Sequence, residues 1–429
     1  MKASIKKVRT AYGITEYALS NGLRVLYKRD TSLPIAAVCV TYHVGSRNEA
    51  AGHTGATHIL EHLLFKDSEN FKAADNRSIT NHLEWMGALM NATTYLDRTN
   101  YFELLPKERL AEALEMEADR MRGSLFNDAD LASEMTVVRN EFERSRNNPF
   151  EILEEEVLAT AFTKHPYRIP TIGIKEDIES STAAKLREFY DRFYWPNNAT
   201  LSIFGDVDQD DAESLALKYF AAIPRSPHEI PAMTTVEPPQ EKARTCEIEK
   251  PTGVSALQLA YKTPSARDPD FLPLYVFATI LAGGFSSRLQ KKIVDAGHAA
   301  ELHLSLHPFY DACVASLTAV IGKKSTPMRV LQIMRREIKA ALAGGVTKAE
   351  LDHARERLLS EIADEHDGIF NEIRAVSESI AAGDWTLSYR FEEMLAALKR
   401  SDIDRVAQKY FTSKGETAGI LIDTLVDTA

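Results

Sequence analysis

The sequence predicts an α+β protein built from two homologous α/β domains, and three observations carry that reading. At 429 residues the chain exceeds one ordinary domain and suggests two of roughly 200 each. A polar stretch from Pro224 to Pro239, with Pro227, Pro231 and Pro238 inside it, reads as a linker between the halves. The halves also close alike: residues 181–208 and 401–425 each read as a helix followed by a buried strand, so the second half looks like a worn copy of the first. The boundaries expected are a first domain over residues 1–223, a linker over 224–245 and a second domain over 246–429.

Within the first half, residues 14–44 contain two strand-like runs. These are Leu23 to Lys28 and Ile35 to Tyr42, punctuated by Asn21-Gly22 and Leu33-Pro34. Residues 55–66 should be a helix, with apolar Ile59, Leu60, Leu63, Leu64 and Phe65 and neither Gly nor Pro after Gly55. A second helix runs from Ile79 to Met86 and ends at Gly87, and Met90 to Leu105 then alternates like strands. A charged helix follows over 128–147. In the second half the apolar run 271–284 takes the place of the 55–66 helix but offers neither His nor Glu.

The chemistry gathers on the 55–66 helix. At about 100° per residue, Glu61 lies about 60° to one side of His58 and His62 about 40° to the other, so the three share one narrow face. The other faces are apolar, which predicts burial, and burying two imidazoles and a carboxylate without partners is costly. A divalent metal would offset that cost. Two histidines at i and i+4 can reach one zinc ion through neutral ring nitrogens, leaving a carboxylate beside it. The order His-x-x-Glu-His is the inverzincin pattern. The alternative is a pair of core histidines hydrogen-bonded to backbone or to Glu61. Such a zinc site needs a third protein ligand, usually a carboxylate, and an open position for water. On the 128–147 helix Glu134, Val138 and Glu141 share a face, since seven residues return to within about 20° of the start.

These residues resemble the M16, or pitrilysin and insulinase, family of zinc peptidases, in the short two-domain form similar to mitochondrial processing peptidase subunits. The likeness covers residues 55–66, Asn91-Ala92-Thr93-Thr94 with Asp97, Thr99 and Tyr101, the run Glu134 to Glu141, His165-Pro166-Tyr167, and Tyr194 to Leu201. It implies mostly antiparallel sheets with helices packed on them, two domains forming half of a clamshell. It implies one Zn2+ per chain held by His58, His62 and Glu141, with Glu61 as general base and Glu134 supporting the site without being its principal ligand. It also implies that the strand bearing Asn91 and Ala92 lies at a sheet edge and pairs with substrate backbone, which gives affinity without reading side chains.

The activity implied is metalloendopeptidase hydrolysis of short or unfolded peptides. The second half departs from the family's pattern. Gly283-Gly284-Phe285-Ser286-Ser287-Arg288-Leu289 looks like the family's glycine-rich stretch, yet Gln290 to Phe309 holds neither the Arg nor the Tyr that self-sufficient members carry there. Val294 and Ala300 or Glu301 stand about where they would be, and Lys291 and Lys292 read as a solvated helix face. The chain is therefore expected to work as a dimer, either a homodimer or a heterodimer with a paralogous subunit that supplies the Arg/Tyr pair. A non-hydrolytic peptide-binding scaffold subunit with a structural metal is the alternative. His303 and His307 alternate with leucines and read as the polar face of a strand, not as a second metal site.

Composition sets outer bounds. A net charge of −11, from 51 basic and 62 acidic residues, argues against nucleic acid or anionic membrane as the partner. No apolar run approaches the roughly 18 residues of a membrane span. The first residues show a basic beginning without an apolar h-region, so a cytoplasmic location is expected, or a periplasmic one if a leader has been removed. Cys39, Cys246 and Cys313 imply neither a disulfide framework nor a cysteine metal site.

Overall fold

Two sheets organise the chain, described by a computed structural model over residues 4–75 and 77–425. The first contains β1 (Ile5–Ala11), β2 (Ile14–Leu19), β3 (Arg24–Arg29), β4 (Ile35–Tyr42), β5 (Leu89–Thr94), β6 (Thr99–Pro106) and β7 (Ala199–Gly205). Its order is β1-β2-β3-β7-β4-β6-β5, antiparallel throughout except where β3 pairs with β7. The second contains β8 (Arg244–Lys250), β9 (Ala256–Lys262), β10 (Ala299–Ser305), β11 (Val314–Ile321) and β12 (Glu416–Asp423). Its order is β10-β11-β9-β12-β8, again antiparallel except for the β12/β8 pair. Read from the parallel pair, β3-β7-β4-β6-β5 and β8-β12-β9-β11-β10 are one topology, so the copy foreseen from the closing segments is present in the sheets.

The helices are α1 (Ala56–Leu63), α2 (Ile79–Trp85), α3 (Leu110–Gly123), α4 (Asp128–Ser145), α5 (Pro149–Ala161), α6 (Lys175–Glu179) and α7 (Ala183–Phe193). They continue with α8 (Gln209–Phe220), α9 (Phe271–Ala282), α10 (Pro327–Gly344), α11 (Lys348–Glu365), α12 (Ile369–Ala381), α13 (Leu387–Ala397) and α14 (Arg400–Tyr410). As expected, α7 leads into β7 and α14 into β12, and α9 follows β9 as α1 follows β4.

The chain separates into two units, and the division is not the single cut expected near the prolines. The first unit takes residues up to 140, 170–234 and 364–388, and the second takes 141–169, 235–363 and the residues from 389 on. The physical reason is that each sheet is covered by a helix from the other part of the sequence: α5 packs on β8, β9 and β12, while α12 packs on β4 and β7. Polar pairs fix α12 in the first unit. Lys28 Nζ lies 2.5 Å from Glu372 Oε1, Asn100 Nδ2 donates to Ser377 Oγ at 3.0 Å, and Arg98 pairs with Glu378. In the second unit, Glu237 accepts the backbone N–H groups of Thr163, Lys164 and His165 just after α5, and Lys262 Nζ lies 3.0 Å from it. Burial pushes the Glu237 carboxyl up, but these donors outweigh it and hold it at about 2.

Alternation along β6 fixes the layers of the first unit. Asn100 and Phe102 face α12, touching Ser377 and the Phe370 ring, while Tyr101 and Glu103 point the opposite way toward Arg120 of α3. A helix lies on each face of this sheet, so the central β7 is buried along its whole length. Burial on both faces takes in Thr200 and Ser202 as well as Leu201, Ile203 and Phe204, where a half-exposed strand would alternate in exposure.

Candidate metal centre

Helix α1 is positioned from its first turn. Gly55 caps it with φ at +85°, and a Cβ there would come 2.5 Å from the Ile172 carbonyl oxygen, so both conformation and space require glycine. Glu49 accepts the N–H groups of Gly55 and Thr57, each at 2.8 Å, and the Thr57 hydroxyl at 2.7 Å. It thereby satisfies donors that a helix start leaves without intrahelical partners. Asp177 does the same one step earlier, accepting from the Thr54 N–H and hydroxyl. Burial raises the Glu49 carboxyl to about 7 despite these donors. Ile59, Leu60, Leu63 and Leu64 are fully buried, which locks the rotation of the helix and presents His58, Glu61 and His62 together.

The structure brings His58, His62 and Glu141 together: one ligand atom from each lies within 4.8 Å of the others. Zinc bonds of about 2.0–2.2 Å call for donors somewhat closer than that limit, a gap that small side-chain torsions can close. Two imidazoles and a carboxylate also match the donor set of a zinc site with one open position. The two rings stand edge to face, 4.9 Å apart. Burial, with the neighbouring His62 as the next cause, pulls His58 down to about 4, so its imidazole is neutral at pH 7 and has a lone pair to give. Glu141 rides on α4, the same continuous helix as Glu134, two turns on.

Glu134 stands outside this group of three. Its Oε2 lies 3.1 Å from His62 Nδ1 and its Oε1 lies 2.6 Å from Lys66 Nζ. Burial pushes its carboxyl up, but the hydrogen bonds from Lys66 and His62 outweigh burial and leave it below the ordinary carboxylate value. An ionised carboxylate only accepts, so His62 donates from Nδ1 and keeps its lone pair on Nε2. Glu61, partly buried on α1, is not one of the three ligands. Its charge reaches the phenols of Tyr101 and Tyr194, which burial first and Glu61 among the other causes hold far above their usual range.

Behind these groups lies a charged cluster that the sequence did not disclose. Arg120, Glu103 and Glu117 are buried, with Arg120 Nη1 at 2.7 Å from Glu117 and 3.7 Å from Glu103. The guanidinium sits 4.5 Å over the Tyr101 ring and 4.8 Å over Phe65, just past the end of α1. Burial, then the charge of Glu117, holds the Glu103 carboxyl well above the usual range.

Asn91 and Ala92 lie on β5, the terminal strand of its sheet, which packs against α1. Asn91 is exposed and its Oδ1 accepts the Ala92 N–H at 2.8 Å, while Ala92 itself is buried. His303 is on β10 as expected, its Nε2 2.9 Å from Glu301, but His307 falls beyond the strand's end at Ser305. His165 makes a local turn, its Nδ1 accepting the Tyr167 N–H at 3.2 Å. Glu49, Asp177, Lys66 and the Arg120 cluster were all missed from sequence. The only available signal was a carboxylate shortly before a helix start in the case of Glu49, and a cation four residues beyond His62 in the case of Lys66.

A mixed α+β sheet pair with an inverted His-x-x-Glu-His helix and a distant glutamate defines the zinc-peptidase class. The family model described as insulinase, peptidase family M16, matches residues 24–175, and that of the peptidase M16 inactive domain matches residues 180–358. The chain is 30% identical over 412 residues to the zinc protease PqqE of Helicobacter pylori, covering 94% of this chain and 91% of that protein. The crystal structure of a protease from Helicobacter pylori superposes with a TM-score of 0.89 at 26% identity, covering 98% of this chain and 100% of that one. The periplasmic protease PqqL of Escherichia coli shares the fold, with a TM-score of 0.80 at 17% identity over 98% of this chain and 48% of its own. The chain belongs to peptidase family M16. Among the described residues, no helix is long and apolar enough to cross a membrane.

Proposed function

We propose that this chain is a zinc-dependent metalloendopeptidase that hydrolyses short or unfolded peptides as the metal-bearing subunit of a dimer. The observation that carries the reading is the meeting of His58, His62 and Glu141 within 4.8 Å, with Glu61 on the same helix but outside the ligand group. A divalent ion held there supplies Lewis-acid chemistry toward a carbonyl and acidifies water. Glu61 takes the proton of the water that attacks the scissile carbonyl and delivers it to the leaving amine, so no covalent enzyme intermediate forms. The free edge of β5 at Asn91 and Ala92 accepts substrate backbone as an added strand.

Dimerisation is supported by two facts. Residues 290–309 lack Arg and Tyr, and the same fold fills only 48% of the longer PqqL chain. A second subunit, a copy or a paralogue, then contributes the groups that grip substrate. The test is metal analysis together with cleavage of an unstructured peptide library, by the protein alone and with a paralogue. Glu61→Gln should keep its zinc and lose about 10²–10⁴-fold in turnover. Near-normal turnover of the zinc-loaded variant would refute the role of Glu61. Zinc-loaded wild-type protein that cleaves nothing in either setting would support a non-hydrolytic scaffold instead.

A further inference from the structure

We infer that Lys66 is a positioning residue of the metal centre, acting on His62 through Glu134. The inference rests on the metal site proposed above, and the resemblance to the peptidase family gives Lys66 no role. Lys66 follows His62 by four residues. Although α1 ends at Leu63, the chain keeps its helical curl: Leu64 N–H donates to Leu60, Phe65 to His62 and Lys66 to Leu63, at 2.9, 3.2 and 3.0 Å. The lysine therefore reaches the same side as His62. Its Nζ lies 2.6 Å from Glu134 Oε1, while Glu134 Oε2 takes His62 Nδ1 at 3.1 Å. Each carboxylate oxygen has one partner, and the pair closes a chain from ammonium to carboxylate to imidazole.

Exposure shows which member is dispensable for folding. The side chains of Glu134 and His62 are 11% and 17% exposed, but that of Lys66 is 34% exposed. Lys66 is thus a solvent-side clamp on a shielded carboxylate. Removing it leaves Glu134 with one anchoring partner and free to swing. It also removes the ammonium that offsets the Glu134 charge beside the two histidines. Once Glu134 swings, its hydrogen bond with His62 Nδ1 loosens, and the tautomer with its proton on Nε2, which cannot bind metal through that nitrogen, becomes populated.

The experiment uses the full chain and zinc as the probe, with affinity from chelator competition and tautomers from imidazole 15N spectra of the zinc-free protein. Lys66→Met should weaken zinc binding about 10–100-fold and mix the His62 tautomers, Lys66→Arg should restore most of both, and the zinc-free unfolding midpoint should fall only slightly, as for a part-exposed ion pair. In a Glu134→Gln background, Lys66→Met should have little further effect, because the two act in series. Unchanged zinc affinity in Lys66→Met, or losses that simply add to those of Glu134→Gln, would overturn the inference while leaving the metal centre standing. Wild-type protein that binds no stoichiometric zinc would overturn the metal centre and this inference with it.

Discussion

Replacing Arg120 by Met tests the energetic core of the first unit. Arg120 is 0% exposed, as is Glu117, and Glu103 is 1% exposed. Burial and Glu117 push the Glu103 carboxyl up, and the closest opposed pair of the cluster is Arg120 and Glu117, 2.7 Å apart. Arg120→Met preserves much of the volume but strands the Glu117 charge, and breaking a buried pair from one side costs about 3–5 kcal/mol. Loss of the stacking over Phe65 and Tyr101 adds about 1 kcal/mol. A loss near 4–6 kcal/mol is a large fraction of the roughly 5–15 kcal/mol that holds a domain together. At about 2–4 °C per kcal/mol for a unit of this size, the midpoint should fall by roughly 8–24 °C. Calorimetry and urea titration of zinc-free protein at pH 7 read this directly. Arg120→Met/Glu117→Gln should recover most of the loss, since neither partner of the pair is left alone. A single-variant loss under about 1 kcal/mol, or a double variant as unstable as the single, would show that Glu117 is not an uncompensated anion and refute the reasoning.

Three further outcomes follow from the site. His58→Ala and Glu141→Ala should each lower zinc content after dialysis, read by elemental analysis, whereas full zinc in Glu141→Ala would remove that residue from the ligand set. Glu49 binds its proton more tightly folded than unfolded, at about 7 against 4.5, so the stability it contributes is present below about 4.5 and is lost as pH rises through about 7. His43, pulled down to about 4 by burial, runs the other way, its contribution being present above 6.5 and lost as pH falls toward 4. Glu49→Gln should therefore flatten the fall in the urea midpoint as pH rises between about 4.5 and 7 and leave the acid loss, and an unchanged profile would count against a raised Glu49 carboxyl. Gly55→Ala should destabilise by about 1–3 kcal/mol and lower zinc affinity, because φ at +85° and the Ile172 carbonyl both oppose a side chain. A neutral effect on thermal unfolding would contradict that geometry.

The elements legible in the sequence are those whose pattern is local. Ile35–Tyr42 is β4 as read, α1 lies inside its expected range, and the helix from Ile79 reaches Trp85 with Met86 as its cap. β1 and β2 were not foreseen. β1 is the exposed outer strand and reads Lys-Lys-Val-Arg, so its strand character comes from pairing with β2 and not from composition. The reciprocal use of α5 and α12 was equally invisible, because sequence order does not say which sheet a helix covers. Nor does residue type tell a buried ion cluster from a solvated face, which hid Glu103, Glu117 and Arg120 until the packing of α3 on β6 was known.

The two halves nevertheless state the chemistry by their contrast. α9 follows β9 as α1 follows β4, and apart from Tyr275 every residue from Phe271 to Ala282 is buried, so apolar contact alone accounts for its place. α1 is buried through Ile59, Leu60 and Leu63 as well, yet it carries two imidazoles and a carboxylate on the remaining stripe. Hydrophobic packing cannot select those three residues, since the other copy fills the same position without them. What their burial requires is a set of polar partners, and the chain supplies them from near and far: Glu49 and Asp177 at the helix start, Glu134 at His62 with Lys66 on that carboxylate, and Glu141 beside both histidines. A helix that needed only to be buried would have come to resemble α9.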